Sequence, residues 1–383
     1  MNILIAHGGG PTPVMNSSLQ GVIEGVRASR RKCKLYAGRY GVEGILNDDL
    51  IDLTDISEST IQKLSVTPAS AIGSCRKKLG EADYPRILDT LVRHGIDCLL
   101  YNGGNDSMDT CNKLARLAEN ARLDLTVMGI PKTIDNDLAI TDHSPGFGSA
   151  ARFAAITAGE IGSDAAALPI HIVVMELMGR NAGWITGAAA LGKNISKCPM
   201  MVLLPENLLN IESFLKEAEA RFKLGKGLLV VVSEGIRDLD NQPISESGIV
   251  DGFGHKVPGG AAQRISDVIM QNLGIKSRSE KPGLLGRSSM PYISQIDRLE
   301  AYAVGRAAVE AAFKGDTGKM ITIEAHRGKK YEFSLGAVAL DLVANKEKKF
   351  PVEWIAEWDV ADEFIDYCLP LLGGSLPAFA HLR

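Results

Sequence analysis

Residues 98–101, Cys-Leu-Leu-Tyr, run without a break into Asn102-Gly103-Gly104-Asn105-Asp106-Ser107, and a helical pattern resumes over 108–118. A short apolar run closed by glycines and followed by an amphipathic stretch is the strand–turn–helix step of an α/β protein. The same step opens the chain, where residues 3–6 lead through Gly8-Gly9-Gly10-Pro11-Thr12-Pro13 into a helical pattern over 16–28. Further strands are expected at 35–37 and 125–128, the latter ending in Gly129-Ile130-Pro131-Lys132, with a helix at 84–94. The second half repeats the plan at 172–176, 201–204 and 228–233, whose turns read MGRNAG, PEN and SEG. This alternation predicts an α/β fold with mostly parallel sheets. In such sheets ligands bind outside the carboxyl ends of the strands, so a polar small-molecule site is expected where these turns gather.

Composition narrows the classes. The chain has 383 residues, 45% apolar and 23% charged, which suits a globular protein of two lobes. Lys plus Arg number 42 against 46 Asp plus Glu, and a net charge of -4 argues against a nucleic-acid binder. No uninterrupted apolar segment reaches the length of a membrane span. The opening MNILIAHGGG reads as a strand entering a turn, not as a secretion signal. The six cysteines, at 33, 75, 98, 111, 198 and 368, form no C-x-x-C pair and fit reduced thiols in a cytoplasmic protein.

The glycine clusters carry the chemistry. In the turn at 8–13, glycines let backbone N–H groups approach an anion at a helix N-terminus. The turn matches neither the dinucleotide fingerprint nor the P-loop. A second such turn, at 103–107, strengthens the phosphate reading, although Asp106 or Ser107 could simply cap the helix. The Asp106 carboxylate would stand beside a phosphate, a repulsion that a bridging Mg²⁺ removes. Pro131-Lys132-Thr133-Ile134-Asp135-Asn136-Asp137 is the most informative stretch. Carboxylates at i and i+2 of an extended loop would project to one side. One could accept a hydroxyl proton while the other orients it or holds a metal, and Lys132 supplies the cation that phosphoryl transfer needs. Arg180 in MGRNAG, Arg278, Arg287 and Glu234 in SEG suit the phosphate and hydroxyls of a sugar phosphate, and Arg76 is a further cation candidate.

With these residues on the page, the chain resembles the phosphofructokinase family from Ile3 to about Ile323, through G-G-x-x-P-x-M-N, G-G-x-D-S, P-K-T-I-D-N-D, M-G-R-x-A-G and S-E-G. ATP-dependent members have glycine where this chain has Asp106 and Lys132. Pyrophosphate-dependent members are similar to what stands here. A carboxylate and a lysine at those positions would fill the space of a nucleotide's α-phosphate, and the carboxylate would repel it.

The resemblance implies two Rossmann-like three-layer lobes with the active site in the cleft between them. The expected division is 1–145 for donor binding and catalysis, completed by a segment near 286–330. Residues 146–285 would form the sugar-phosphate lobe and 331–383 a C-terminal extension. The reaction implied is reversible, Mg²⁺-dependent transfer from pyrophosphate to the 1-hydroxyl of fructose 6-phosphate, in a cytoplasmic homodimer or homotetramer. Asp135 would be the general base, with Thr133 and Asp137 positioning the hydroxyl and the metal-bound phosphate. Lys132 would stabilise the phosphoryl in flight. Gly10, Arg76, Gly104 and Asp106 would line the donor site, with Asp106 contacting the metal. Met178, Gly179, Arg180, Glu234, Arg278 and Arg287 would hold the sugar phosphate. His171 and Leu284 stand where the family often has an arginine and a histidine or tyrosine, and Asn105 replaces a frequent aspartate. The first two leave open another acceptor such as sedoheptulose 7-phosphate. An ATP-dependent phosphofructokinase is the remaining alternative.

Overall fold

The computed structural model describes residues 1–225, 227–244, 246–250, 256–258 and 260–382. Its strands are β1 (Ile3–His7), β2 (Leu35–Gly38), β3 (Leu50–Asp52), β4 (Cys98–Gly103), β5 (Thr126–Pro131), β6 (His171–Leu177), β7 (Met200–Leu203), β8 (Leu228–Ser233), β9 (Glu246–Val250), β10 (Lys256–Pro258), β11 (Lys276–Glu280), β12 (Lys319–Arg327) and β13 (Tyr331–Ala339), with the two-residue strands β14 (Ile355–Ala356) and β15 (Asp359–Val360) near the C-terminus. The chain separates into two compact units. One comprises Met1–Ser149 and Arg287–Lys348, the other Ala150–Gly286 and Lys349–Arg383. The residues beyond 330 are thus shared between the units, 331–348 in the first and 349–383 in the second.

The first unit is built on a seven-stranded sheet of order β13-β12-β5-β4-β1-β2-β3. Strands β12, β5, β4, β1 and β2 are parallel, while β13 and β3 are antiparallel edges. Alternation along the central strands feeds two cores, as a period of two requires. Ile3, Ile5, Cys98 and Leu100 pack on one face with Leu19, Ile23, Val304 and Ala308. Leu4, Ala6, Leu99 and Tyr101 pack on the other with Ile87, Leu91, Met108 and Leu114. A sheet covered on both faces is the setting in which near-continuous apolar strands such as Cys98–Gly103 are stable.

The second unit contains a parallel four-stranded sheet, β11-β6-β8-β7, and β9 pairs with β10 as a separate antiparallel ribbon. Its core joins Val174, Val230 and Val232 to Phe214 and Ile265.

Several expected boundaries move. Strand β5 continues through Gly129-Ile130-Pro131, with the proline as its last residue. The helix expected at 108 begins at Asn105, because the Gly104 carbonyl accepts the N–H groups of both Ser107 (3.0 Å) and Met108 (3.0 Å). Asp106 and Ser107 therefore stand in the first helical turn and not in the loop.

Helix Met15–Ala28, which follows the first glycine turn, lies close against helix Gln295–Phe313. A Cβ on Gly21 would sit 2.1 Å from the Tyr302 carbonyl oxygen, and one on Gly305 would sit 2.1 Å from that of Ser18. Backbone cannot yield as a flexible side chain can. We expect Gly21→Ala to cost roughly 1–3 kcal/mol, the range for overpacking. Urea denaturation should show a lower midpoint at unchanged slope, and an unchanged midpoint would refute the close-approach account.

Candidate active site

Three loops leave the carboxyl ends of the adjacent strands β5, β4 and β1, and backbone bonds tie them together. Gly8 N–H donates to the Asn102 carbonyl (2.9 Å), Lys132 N–H to that of Gly103 (3.1 Å), and Gly9 N–H to that of Cys75 (2.9 Å). The Lys132 side chain runs under the first loop, and its Nζ donates to the carbonyls of Gly8 (2.7 Å) and Gly10 (2.8 Å). A Cβ on Gly10 would lie 2.5 Å from Nη1 of Arg287 and 3.1 Å from Nη2 of Arg76. Two guanidinium groups and a buried ammonium thus converge on the first glycine turn.

Burial pushes Lys132 down to about 7. Asp135 and Asp137 act to raise it, while Arg76 and Arg287 lower it. An anion placed here would relieve that mutual repulsion. His7, at the end of β1, is pushed down to about 3 by burial and by Lys132, so it is neutral at physiological pH, and its Nδ1 meets Ser70 Oγ at 2.8 Å.

The 131–137 loop departs from the extended form. Asn136 has φ 54°, a left-handed residue between the two carboxylates, so the alternation argument for Asp135 and Asp137 does not apply. Thr133 takes over their arrangement. Its Oγ1 accepts the Asp135 N–H (3.1 Å), and its hydroxyl bonds the Asp137 carboxylate. Asn105 Nδ2 donates to the same carboxylate (3.2 Å), which burial nevertheless pushes above the usual carboxylate range. Asp137 Oδ1 and Asn105 Oδ1 are buried without hydrogen-bond partners. Asp106, beside Asn105, is exposed in the first turn of its helix, where the helix dipole favours an anion. Gly104 is the residue just before that helix, 3.5 Å from the Lys132 carbonyl oxygen by its virtual Cβ.

Beyond this loop a buried ionic network fixes residues 141–149. His143 bridges Asp142 through Nδ1 (2.8 Å) and Glu300 through Nε2 (2.7 Å). Arg327 binds Asp142 with both terminal nitrogens (2.8 and 2.7 Å), and the Tyr331 hydroxyl donates to Glu300. Asp297 accepts from the N–H groups of Gly146 (2.7 Å) and Ser149 (2.9 Å). Burial pushes Asp297 up to about 6, and these bonds oppose it.

In the second unit the turns after β6 and β8 meet. Ser233 Oγ donates to the Gly179 carbonyl (2.6 Å), Glu234 N–H to that of Leu177 (3.0 Å), and a Cβ on Gly235 would strike the Arg180 carbonyl oxygen at 1.8 Å. Met178 and Glu234 line a pocket with Phe153, Glu176, Ile185 and Lys281. Glu176, paired with Lys281 at 2.6 Å, was not foreseen from the sequence, because a glutamate inside an apolar strand run carries no local signal. Arg180 is exposed on the adjoining turn.

The three arginines expected on the sugar phosphate do not all belong to one unit. Arg287 belongs to the first unit and stands beside Arg76 at Gly10. Arg278 is exposed on the edge strand β11, in register with Val173, about 16 Å along the strand from Met178 at ~3.3 Å per residue. His171 is buried at the start of β6, its ring nitrogens unpartnered and its pKa lowered by burial and by Arg278. Leu284 is exposed on the short turn Gly283–Arg287.

Glycine turns at the ends of parallel strands, a buried lysine and the carboxylates of Asp135 and Asp137 are the elements that a phosphotransferase-type site requires. The phosphofructokinase family model matches residues 2–312, and the chain belongs to that family. It is 40% identical over 97% of its length, and 92% of the relative's, to a pyrophosphate–fructose 6-phosphate 1-phosphotransferase of Methylococcus capsulatus. A pyrophosphate-dependent phosphofructokinase structure from Marinobacter aquaeolei matches with a TM-score of 0.89 at 36% identity, covering 99% of this chain and 93% of that one. A sulfofructose kinase of Alkalicoccus urumqiensis is 30% identical over 97% of this chain and 96% of its own.

His143 yields a pH signature. Burial lowers its pKa, but Glu300 and Asp142 overcome that and raise it to about 9. A raised folded-state value adds stability that is complete below the unfolded pKa of about 6.5 and disappears as pH passes 9. The stability gap between the wild-type protein and His143→Gln should therefore shrink by about 3 kcal/mol between pH 6.5 and pH 9.5. Urea unfolding across that range checks it, and a pH-independent gap would show that the fold does not raise the His143 pKa.

Proposed function

We propose that this protein transfers a phosphoryl group reversibly from pyrophosphate to the 1-hydroxyl of fructose 6-phosphate, giving fructose 1,6-bisphosphate and orthophosphate. The observation that carries the reading is the Lys132 ammonium, buried and bonded beneath the first glycine turn with Arg76 and Arg287 at its rim. With Lys132 there and the Asp106 carboxylate heading the second turn, a bare pyrophosphate suits the donor site better than a nucleotide, whose α-phosphate Asp106 would repel. The names of the two pyrophosphate-dependent relatives support the same donor and acceptor.

In this reading the Asp135 carboxylate takes the proton of the 1-hydroxyl as its oxygen bonds to phosphorus. The bridging P–O bond breaks, and orthophosphate leaves. Lys132, Arg76 and Arg287 meet the charge on the transferred and departing oxygens, an electrostatic role suited to a desolvated site. Thr133 aligns Asp135 and Asp137, and Gly10 and Gly104 let the backbone approach the donor. Met178, Gly179, Arg180 and Glu234 hold the sugar phosphate. Arg278, exposed on an edge strand, would serve the site of a neighbouring copy, which makes the working form a homodimer or homotetramer.

Mg²⁺ fits the residues present. The exposed Asp106 carboxylate and the unpartnered Asp137 Oδ1 offer one or two protein oxygens, the number Mg²⁺ takes when substrate phosphates and waters complete its shell. No cluster of three metal-ligating side chains occurs among the described residues. When bound, Mg²⁺ supplies charge neutralisation on the pyrophosphate oxygens. No helix among the described residues is long and apolar enough to cross a membrane, and with six free thiols a cytoplasmic setting is the one we favour.

A coupled assay with Mg²⁺ and fructose 6-phosphate, run with pyrophosphate and with ATP, tests the donor. Activity with pyrophosphate and not with ATP is expected, and the reverse would overturn the reading. The acceptor is tested by substituting sedoheptulose 7-phosphate or sulfofructose, each of which should turn over more slowly. Asp135→Asn should lower kcat at least about 100-fold, and an undiminished rate would remove Asp135 as the base. Asp106→Gly combined with Lys132→Gly should weaken pyrophosphate turnover and admit ATP. Pyrophosphate turnover that survives both changes would sink the donor argument.

A further inference from the structure

Lys348 closes the loop that carries the carboxylates, although more than 200 residues separate them in sequence. Its backbone N–H donates to the Asp137 carbonyl (2.7 Å), and Glu347 beside it bridges to Leu138. Its Nζ donates to Asn136 Oδ1 (3.2 Å) and to the carbonyl of Asp142 (2.6 Å), with the Thr141 carbonyl at 3.5 Å. One residue therefore grips the loop at 136–137 and again at 141–142. Asn136 is the left-handed residue between Asp135 and Asp137, and its Oδ1 also accepts the Ser144 N–H (3.1 Å). A left-handed asparagine persists where its surroundings over-determine it. Here the surroundings are the Ser144 amide on one side and the Lys348 ammonium on the other. Asp142, whose carbonyl the same ammonium holds, is locked by Arg327 and His143.

We infer that Lys348 is a positioning residue for phosphoryl transfer, its ammonium pinning Asn136 to the anchored 141–142 segment and thereby setting the carboxylates of Asp135 and Asp137. The inference rests on the reaction proposed above. Lys348 touches neither reacting group. It acts through Asn136 and through the Asp137 backbone, and its effect should fall on the chemical step, where a misplacement of about 1 Å can cost a hundredfold. Burial pushes its pKa down to about 7, while Asp142 and Asp137 act to raise it.

The test compares Lys348→Met with Lys348→Arg. With pyrophosphate, fructose 6-phosphate and Mg²⁺, Lys348→Met should lose about 10- to 100-fold in kcat, with both KM values within about threefold of wild type, and Lys348→Arg should recover most of the loss. Amide hydrogen exchange is read on the same proteins without substrate. In Lys348→Met, residues 137–144 should exchange at least about tenfold faster while β1 and β4 keep their protection, and Lys348→Arg should resemble wild type. A wild-type kcat, a loss confined to KM, or faster exchange spread evenly over the first unit would each overturn the assignment. If the wild-type protein shows no turnover, the reaction reading fails by itself. The exchange comparison then decides the role of Lys348, since unchanged protection at 137–144 in Lys348→Met would refute it.

Discussion

A buried ammonium bonded to two backbone carbonyls organises the first unit. Lys132 leaves the end of β5, passes beneath the turn that leaves β1, and donates to Gly8 and Gly10. Desolvating a cation costs several kcal/mol unless partners compensate. The carbonyls and the nearby charges of Asp135 and Asp137 compensate in part, while Arg76 and Arg287 act against it. The result is a place short of negative charge, built by three cationic side chains that the fold brings to one turn. The ideal Cβ position of Gly10 lies 2.5 Å from Nη1 of Arg287, so a larger residue there would displace the guanidinium from the turn.

The rigidity of the neighbouring loop has a separate origin. His143, 1% exposed, sits as an imidazolium between two carboxylates, one of them also held by the Arg327 fork and the other by the Tyr331 hydroxyl. In a low-dielectric interior a satisfied network of this kind specifies one arrangement, because any shift strands a charge. Strands β12 and β13 and helix Gln295–Phe313 supply Arg327, Tyr331 and Glu300. The segments after residue 287 therefore complete the first unit in its ionic network as well as in its sheet.

The second unit divides its polar residues by strand position. Residues at the carboxyl ends of β6 and β8 share a pocket with Glu176 and Lys281, whereas His171 starts β6 and Arg278 stands on β11 in register with Val173, toward the other end of the sheet. A motif list treats Arg180, Arg278 and Arg287 alike. Strand register separates Arg278 from Arg180, because each residue along a strand advances its side chain by about 3.3 Å, and Arg287 belongs to the first unit.

Much of this protein was legible in its sequence, and the legible part was local. Strands such as 98–103 and 228–233 announced themselves because apolar runs buried on two faces need no partner to be recognised. The glycine turns and Lys132-Thr133-Ile134-Asp135-Asn136-Asp137 could be read because their chemistry lies within a few consecutive residues. What escaped was set by contacts distant in sequence. The left-handed Asn136 depends on Ser144 and Lys348, and Arg287 reaches Gly10 from the far side of the chain. Lys346-Glu347-Lys348-Lys349 looks like any solvated charge run until the fold desolvates one of its lysines. Sequence by itself determined which residue types stand at the strand ends. Tertiary structure alone decided which of them share an environment, because burial and register are properties of the assembled sheet and not of any segment.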